Sequence, residues 1–436
     1  MEKLVIAGGT ALRGRVPVSG AKNASLAILC ASVMAGEPVL LENIPDIRDV
    51  RVMMEIIRSL GARVHWTEGG GLFVHLDGPP ADMPPYHLVK QLRASNLLLG
   101  PMLARFGQVE ISLPGGCNIG VRPMDLHFKG LAGLGARMTL ERGAVVARSS
   151  RLVGTRVYLD FPSVGATENI MMAACLARGQ TVIENAAKEP EVVDLASFLN
   201  CLGARVRGAG TDVIKIEGVD ELGGCLRYSV IPDRIEAGTF MVAAAATRGD
   251  VLVENVIPRH LEPLIAKLRE AGVTVEEEED RLRVQATGYL QPIDIKTMPF
   301  PGFPTDMQSQ MMALLSTVPG TSMIVENVFE NRFRVADELK RMGARIKVEG
   351  RVAVVEGVES LQCAQVRATD LRAGAALVVA GLMTAGETHI ANTVYIDRGY
   401  HNLEKKLAGL GARVWRVSSD SGKSETVVPG CLTAQL

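Results

Sequence analysis

The sequence predicts an α/β protein of two domains, each built from three copies of one strand–helix–strand–helix–strand–strand unit. Three observations predict it. A tag of the form Leu60-Gly61-Ala62-Arg63 recurs in exact or variant form, with its glycines at 61, 135, 203, 272, 343 and 411, so successive copies lie 68 to 74 residues apart. A second tag, an apolar run ending in Glu-Asn, lies upstream of most copies. An Ala/Met/Leu-rich segment with few charges precedes that. Six such units fill the chain.

The elements follow in order along one unit. The segments 24–35, 95–104, 169–177, 237–247, 307–316 and 373–384 are apolar on nearly every side, so each is read as a helix enclosed on all sides. The runs Leu40-Leu41-Glu42-Asn43, Val182-Ile183-Glu184-Asn185, Val251-Leu252-Val253-Glu254-Asn255 and Ile324-Val325-Glu326-Asn327 read as buried strands with a polar exit. Next comes an amphipathic helix: Met53, Ile56, Ile57 and Leu60 recur at helical spacing, as do Leu195, Phe198, Leu199 and Leu202, and Leu261, Leu264, Ile265 and Leu268. The tag glycine suits the left-handed residue that ends a helix. Alternating strands follow, such as Arg345-Ile346-Lys347-Val348-Glu349. Three units can enclose three buried helices within three sheets and three amphipathic helices, and six units make two such domains, joined near 230–232. An open solenoid would leave the apolar helices uncovered.

Composition narrows the function. The chain has 436 residues, with Lys+Arg 47 against Asp+Glu 48 and aromatic residues at 4%. A net charge of −1 argues against binding to nucleic acid or an anionic membrane, and so few aromatics argue against base stacking. The seven cysteines are scattered, odd in number and nowhere at metal-ligand spacing, which predicts neither a disulfide scaffold nor a zinc site and points to a reducing compartment. No leader or membrane-spanning run is evident, so a soluble cytoplasmic protein is expected.

Chemistry is expected where repeated units differ. The loops into the buried helices read Ser19-Gly20-Ala21-Lys22-Asn23, Gln91-Leu92-Arg93-Ala94-Ser95, Pro162-Ser163-Val164-Gly165, Pro232-Asp233-Arg234, Pro304-Thr305-Asp306 and Thr369-Asp370-Leu371-Arg372. Any one of them is explained by helix capping. Together, Lys22, Arg93, Arg234 and Arg372 at helix amino ends point to a shared anion site. The second unit also replaces its Glu-Asn turn with a glycine-rich loop, Pro114-Gly115-Gly116-Cys117-Asn118-Ile119-Gly120-Val121-Arg122-Pro123. A loop thiol beside an arginine has the setting of a nucleophile or acid, although a passive cysteine also fits. With Arg332 and Arg398 in the matching junctions, cations converge from both halves on a small, multiply anionic substrate.

At these residues the chain resembles the UDP-N-acetylglucosamine enolpyruvyl transferases, over essentially its whole length. Ser19–Asn23, the run from Pro114 through His127, Glu184-Asn185-Ala186-Ala187, Pro304–Asp306 and Glu330-Asn331-Arg332-Phe333 carry the resemblance. It implies two inside-out α/β barrel domains, each three repeats of a βαβαββ unit, divided as 22–231 and as 1–21 with 232–436. It implies transfer of the enolpyruvyl group of phosphoenolpyruvate to the 3′-hydroxyl of UDP-N-acetylglucosamine without a metal or organic cofactor. Cys117 is the implied acid and the site of a covalent phospholactoyl adduct, and alkylation by fosfomycin is implied with it. Lys22, Arg122 and Arg398 are implied to hold the phosphate, Arg332 and Arg372 the carboxylate, and Asp306 to act as base. Arg93 is a further implied substrate contact and Asn23 an implied contact to the amino sugar. Arg122, Pro123, Met124, Asp125, Leu126, Ser163, Val164, Gly165 and Val328 match nucleotide-sugar stretches. His127 is read either as a satisfied core histidine or as a member of that site, and Asp370 as a helix cap or a positioning carboxylate. Phe161 stands where some members carry lysine. Closure of the cleft on the nucleotide sugar, with ordering of Gly115–Gly120, is expected.

Three other readings stay open at this stage: a sister transferase acting on another alcohol such as shikimate 3-phosphate, a non-catalytic nucleotide-sugar-binding paralogue, and a six-unit clamp on DNA. The cysteine loop speaks against the first, the joint presence of Cys117, Asp306 and the cations against the second, and the net charge against the third.

Overall fold

The computed structural model describes residues 2–80, 83–113, 119–120 and 123–418. Their strands form six sheets, five of four strands and one of three. In four of the four-stranded sheets a hairpin that follows a tag glycine pairs antiparallel with the Glu-Asn strand of its unit, whose other edge takes a short parallel strand. The parallel strands include Arg156–Tyr158 beside Gln180–Glu184, Cys225–Ser229 beside Val39–Glu42, and Arg13–Pro17 beside Asp250–Glu254. In the fifth, the amino-terminal strand Glu2–Gly8 lies between Gly386–Ala391 and Arg413–Ser418, closing the last sheet with the start of the chain. The three-stranded sheet belongs to the second unit. There the preceding segment carries Pro79, Pro80, Pro84 and Pro85, which have no N–H to give a ladder.

The glycine tags behave as helix stops. All six have positive φ, between 89° and 100°. The asparagine of the second tag does more than make a polar exit. Asn43, Asn185 and Asn255 also take positive φ, and their side-chain amides donate to Val230 O (2.8 Å), Leu159 O (2.7 Å) and Val18 O (2.7 Å), clamping the end of each parallel strand.

The apolar helices are buried along almost their full length: Lys22–Ser32, Val164–Ala174, Arg234–Ala246 and Leu371–Met383, with Leu99–Phe106 and Gln308–Leu315 each preceded by a 3-10 turn. All six begin two to five residues earlier than their apolar runs predict, two of them through the leading 3-10 turn. Capping side chains start three of them: Ser163 accepts from Ala166 N, Asp233 from Ile235 N and Glu236 N, and Asp370 from Arg372 N and Ala373 N. The charged residues of the loops therefore lie in first turns. Small residues let these helices touch; a Cβ on Gly100 would lie 2.3 Å from Asn169 O.

Buried apolar residues fall into two clusters, one from Ala21 to Val230, the other joining Leu4–Val18 to Ile235–Val414. The chain passes between them twice, and the two passages run side by side. Gly20 bridges Pro232, Ala21 N donates to Ile231 O (2.7 Å) and Asp233 N to Ser19 O (2.8 Å).

The cysteine reading needs one correction. Cys201, at the end of helix Pro190–Cys201, and Cys225, at the start of strand Cys225–Ser229, form a disulfide with Cα atoms 5.7 Å apart. Their separation of 24 residues shows nothing in sequence, because the repeat fold alone brings the helix end to the strand. No helix among the described residues is long and apolar enough to cross a membrane.

Candidate active site

Two carboxylates, one buried and one partly buried, organise the seam between the clusters. Asp49 is 2% exposed in the first turn of helix Arg48–Ser59. It accepts from Lys22 Nζ at 3.5 Å and from Arg398 Nε and Nη2 at 2.8 and 3.3 Å. Lys22 opens the first buried helix, and its backbone N–H donates to Asp233 Oδ2 (3.1 Å). Arg398 comes from the opposite half, so this triad spans the seam.

Asp306 is the second. Arg332 Nη2 donates to Oδ1 (2.6 Å) and Arg372 Nη2 to Oδ2 (2.7 Å). Burial pushes the Asp306 carboxyl up, but Arg372 and Arg332, with Lys22 beyond them, outweigh it and hold the group well below the usual carboxylate range. The same pairing holds Arg372 above the usual guanidinium range against its own burial. Arg332 is 2% exposed, and its Nε is buried without a partner among the described residues. Glu326, 1% exposed, shapes the surroundings: Oε1 accepts from Thr297 Oγ1, Val328 N and Phe329 N, and Oε2 accepts from Thr305 Oγ1. It thereby sets both the turn before Asp306 and the turn carrying Val328.

The first half carries its other predicted site residues at loop and helix ends. Asn23 is exposed in a helix first turn, and Arg93 opens the 3-10 turn Arg93–Leu98. Pro123 and Asp125 are exposed and Met124 and Leu126 half-buried around the start of helix Asp125–Gly133. Ser163, Val164 and Gly165 form the amino end of helix Val164–Ala174, and a Cβ on Gly165 would lie 3.2 Å from the His127 ring. His127 is 5% exposed, and its pKa is lowered to about 4, first by burial and then by Arg93. Ile119 O accepts from Asn331 N at 3.0 Å, so the far end of the glycine-rich loop touches the other half. Cys117 and Arg122 lie outside the described residues.

Two further predicted residues pair away from these two carboxylates. Arg234 pairs with Glu191 (Nε–Oε1 3.1 Å, Nη2–Oε2 3.4 Å) and stacks 5.5 Å over the Phe300 ring. Asp370 caps helix Leu371–Met383. Sequence reasoning passed over Asp49 and Glu191. Each is an acid on the apolar stripe of an amphipathic helix, Asp49 four residues before Met53 and Glu191 four before Leu195, and that misplacement was the available signal. Among the described residues no group of three or more His, Cys, Asp or Glu side chains is arranged to hold a metal ion.

The family profile described as EPSP synthase (3-phosphoshikimate 1-carboxyvinyltransferase) matches residues 6–407. UDP-N-acetylglucosamine 1-carboxyvinyltransferase 2 of Carboxydothermus hydrogenoformans is 58% identical over 420 residues, covering 96% of this chain and 100% of its own. The protein of the same name from Bacillus subtilis is 52% identical, covering 95% of this chain and 97% of its own. Among solved structures, the enolpyruvyl transferase NikO of Streptomyces tendae superposes with a TM-score of 0.86 at 28% identity, covering 95% of this chain and 99% of its own. An EPSP synthase from Acinetobacter baumannii shares the fold with a TM-score of 0.75 at 21% identity, covering 96% of this chain and 100% of its own. The chain therefore belongs to the carboxyvinyltransferase (enolpyruvyl transferase) family.

Proposed function

We propose that this chain transfers the enolpyruvyl group of phosphoenolpyruvate to the 3′-hydroxyl of UDP-N-acetylglucosamine and releases phosphate, the first committed step toward peptidoglycan. The observation that supports this best is the pair of carboxylates that pair with four cations at the seam. Asp49 lies where the substrate phosphate would meet Lys22 and Arg398. Asp306 lies where the substrate carboxylate would meet Arg332 and Arg372. Each protein carboxylate thus stands in for one anionic end of phosphoenolpyruvate, and the unpartnered Nε of Arg332 offers a further donor.

The chemistry follows in two stages. The substrate carboxylate competes for Arg332 and Arg372, which loosens their hold on Asp306 and raises its basicity. Asp306 takes the proton of the 3′-hydroxyl as its oxygen bonds to C2, while Cys117 delivers a proton to C3. In the tetrahedral ketal the phosphate is held by Lys22, Arg122 and Arg398. The Cys117 thiolate then takes a proton back from C3 as phosphate leaves C2, which restores the double bond, and the departing phosphate carries off the proton held by Asp306. Asn23, Arg93, Pro123 to His127, Ser163 to Gly165 and Val328 carry the nucleotide sugar. In this reading Arg234 and Asp370 act at the edge, through the Glu191 pair and the helix cap.

The fold reading that goes with it is two inside-out α/β domains, 22–231 and 1–21 with 232–436, each a threefold repeat; the two apolar clusters and the paired passages near 20 and 231 support it. We place the protein in the cytoplasm, where its small-molecule substrates are made.

The test is phosphate release from phosphoenolpyruvate with UDP-N-acetylglucosamine, with shikimate 3-phosphate, and with neither. Release with the nucleotide sugar alone, lost in Cys117→Ala, is expected. Release with shikimate 3-phosphate instead would overturn the substrate. Intact mass after fosfomycin treatment should show one adduct, missing in Cys117→Asp.

A further inference from the structure

Asn169 is a buried residue of helix Val164–Ala174 to which no role in the reaction has been given above. It is 0% exposed, and its side chain makes three hydrogen bonds. Oδ1 accepts from Gly100 N at 2.8 Å. Nδ2 donates to Asn96 O at 2.9 Å and lies 2.9 Å from His127 Nδ1. A backbone N–H can only donate, so Gly100 fixes the carbonyl end of the amide, and the carbonyl of Asn96 fixes the NH₂ end. The group facing His127 is therefore a donor, and Nδ1 of the ring must accept.

We infer that Asn169 is a positioning residue that holds His127 as the neutral Nε2–H tautomer, making it an uncharged hydrogen-bond donor to a phosphate oxygen of the nucleotide sugar at the amino end of helix Val164–Ala174. This rests on the proposed reading of Ser163, Val164 and Gly165 as part of the nucleotide-sugar site. Three further observations fit. Cε1 and Nε2 of the ring lie 3.2 and 3.4 Å from where a Cβ on Gly165 would stand, which sets Nε2 beside the first turn, whose backbone N–H groups also favour an anion. The charged groups acting on the ring are Arg93 and Asp125, and the first turn of the facing helix carries no acid. Burial and Arg93 oppose a second proton on the ring. A neutral donor at this point needs no counter-charge when the site is empty, whereas an imidazolium there would face both a helix amino end and Arg93.

The experiment uses the full chain labelled with nitrogen-15 histidine, with His127→Gln identifying the resonance. Ligand-free wild-type protein is expected to show His127 protonated on Nε2 alone across about pH 6 to 8. Protonation on Nδ1, or a charged ring in that range, overturns the inference. The functional arm is Asn169→Asp. A carboxylate can keep the Gly100 hydrogen bond but must take a proton from Nδ1, leaving Nε2 an acceptor unless the ring is charged. KM for UDP-N-acetylglucosamine should rise about 10-fold near pH 8 and fall back toward wild type near pH 6, with KM for phosphoenolpyruvate unchanged. A merely structural role would raise KM without that pH recovery, and that result counts against the inference. If Asn169→Asp does not fold, the wild-type spectrum decides alone. If the nucleotide sugar neither binds nor reacts, the proposed function falls, while the tautomer, measured without ligand, stands or falls by its own spectrum.

Discussion

Asp49 shows how much one side chain decides at the residue scale. It holds Lys22 and Arg398 from opposite halves in one place. Asp49→Asn keeps the shape and removes the charge. We expect KM for phosphoenolpyruvate to rise about 10-fold, with KM for the nucleotide sugar nearly unchanged, in steady-state kinetics. His127 makes a different demand. Its pKa is lowered in the folded chain to about 4 from 6.5, so the unfolded chain binds its proton more readily. That contribution to stability is fully present above the unfolded value and is lost as pH falls through the folded one. Between neutral pH and about pH 4 the wild type should therefore lose more stability than His127→Gln, by at most about 3 kcal/mol, read from urea melts.

Helices and strands here are placed by small residues and by caps. Gly100 sits where two buried helices cross, with Asn169 O in the way of any Cβ. Gly409, in helix Leu403–Gly409, has open space at the same point and no positive φ. Gly100→Ala should cost about 3 kcal/mol, while Gly409→Ala should be stabilising by about 0.5–1 kcal/mol, because alanine loses less backbone entropy in a helix. Thermal melts of the two variants separate crowding from propensity. The six tag glycines were legible for the same reason: a left-handed helix stop is a local requirement, and the local sequence carries it. Helix starts were less legible, because the apolar period begins only where the helix enters the core, two to five residues after the helix has started.

Over the whole molecule, two clusters are tied by two adjacent passages, by the Asp49–Arg398 pair and by Arg234–Glu191. The Cys201–Cys225 disulfide anchors the strand that runs into the second passage. By the loop-entropy estimate for 24 residues, reducing it should cost about 3 kcal/mol. Oxidised and reduced protein should thus differ in melting temperature, whereas Cys201→Ser should melt alike in both buffers. Activity should persist in the reduced form, since no seam residue described here touches the disulfide.

The sequence by itself determined the repeat, the buried helices, the glycine stops and the candidate cations, because each depends on periodicity or on residue type within a few positions. It also carried the residues of the enolpyruvyl transferase family over its whole length. Only the tertiary structure decided which charges meet. Asp49 and Arg398 are separated by 349 positions, and Arg332 and Arg372 reach one carboxylate from different units. The disulfide and the Gly100–Asn169–His127 chain are likewise products of packing. Charge pairing, close approach and tautomer depend on distances through space, and a linear pattern holds no record of those until the six units close on one another.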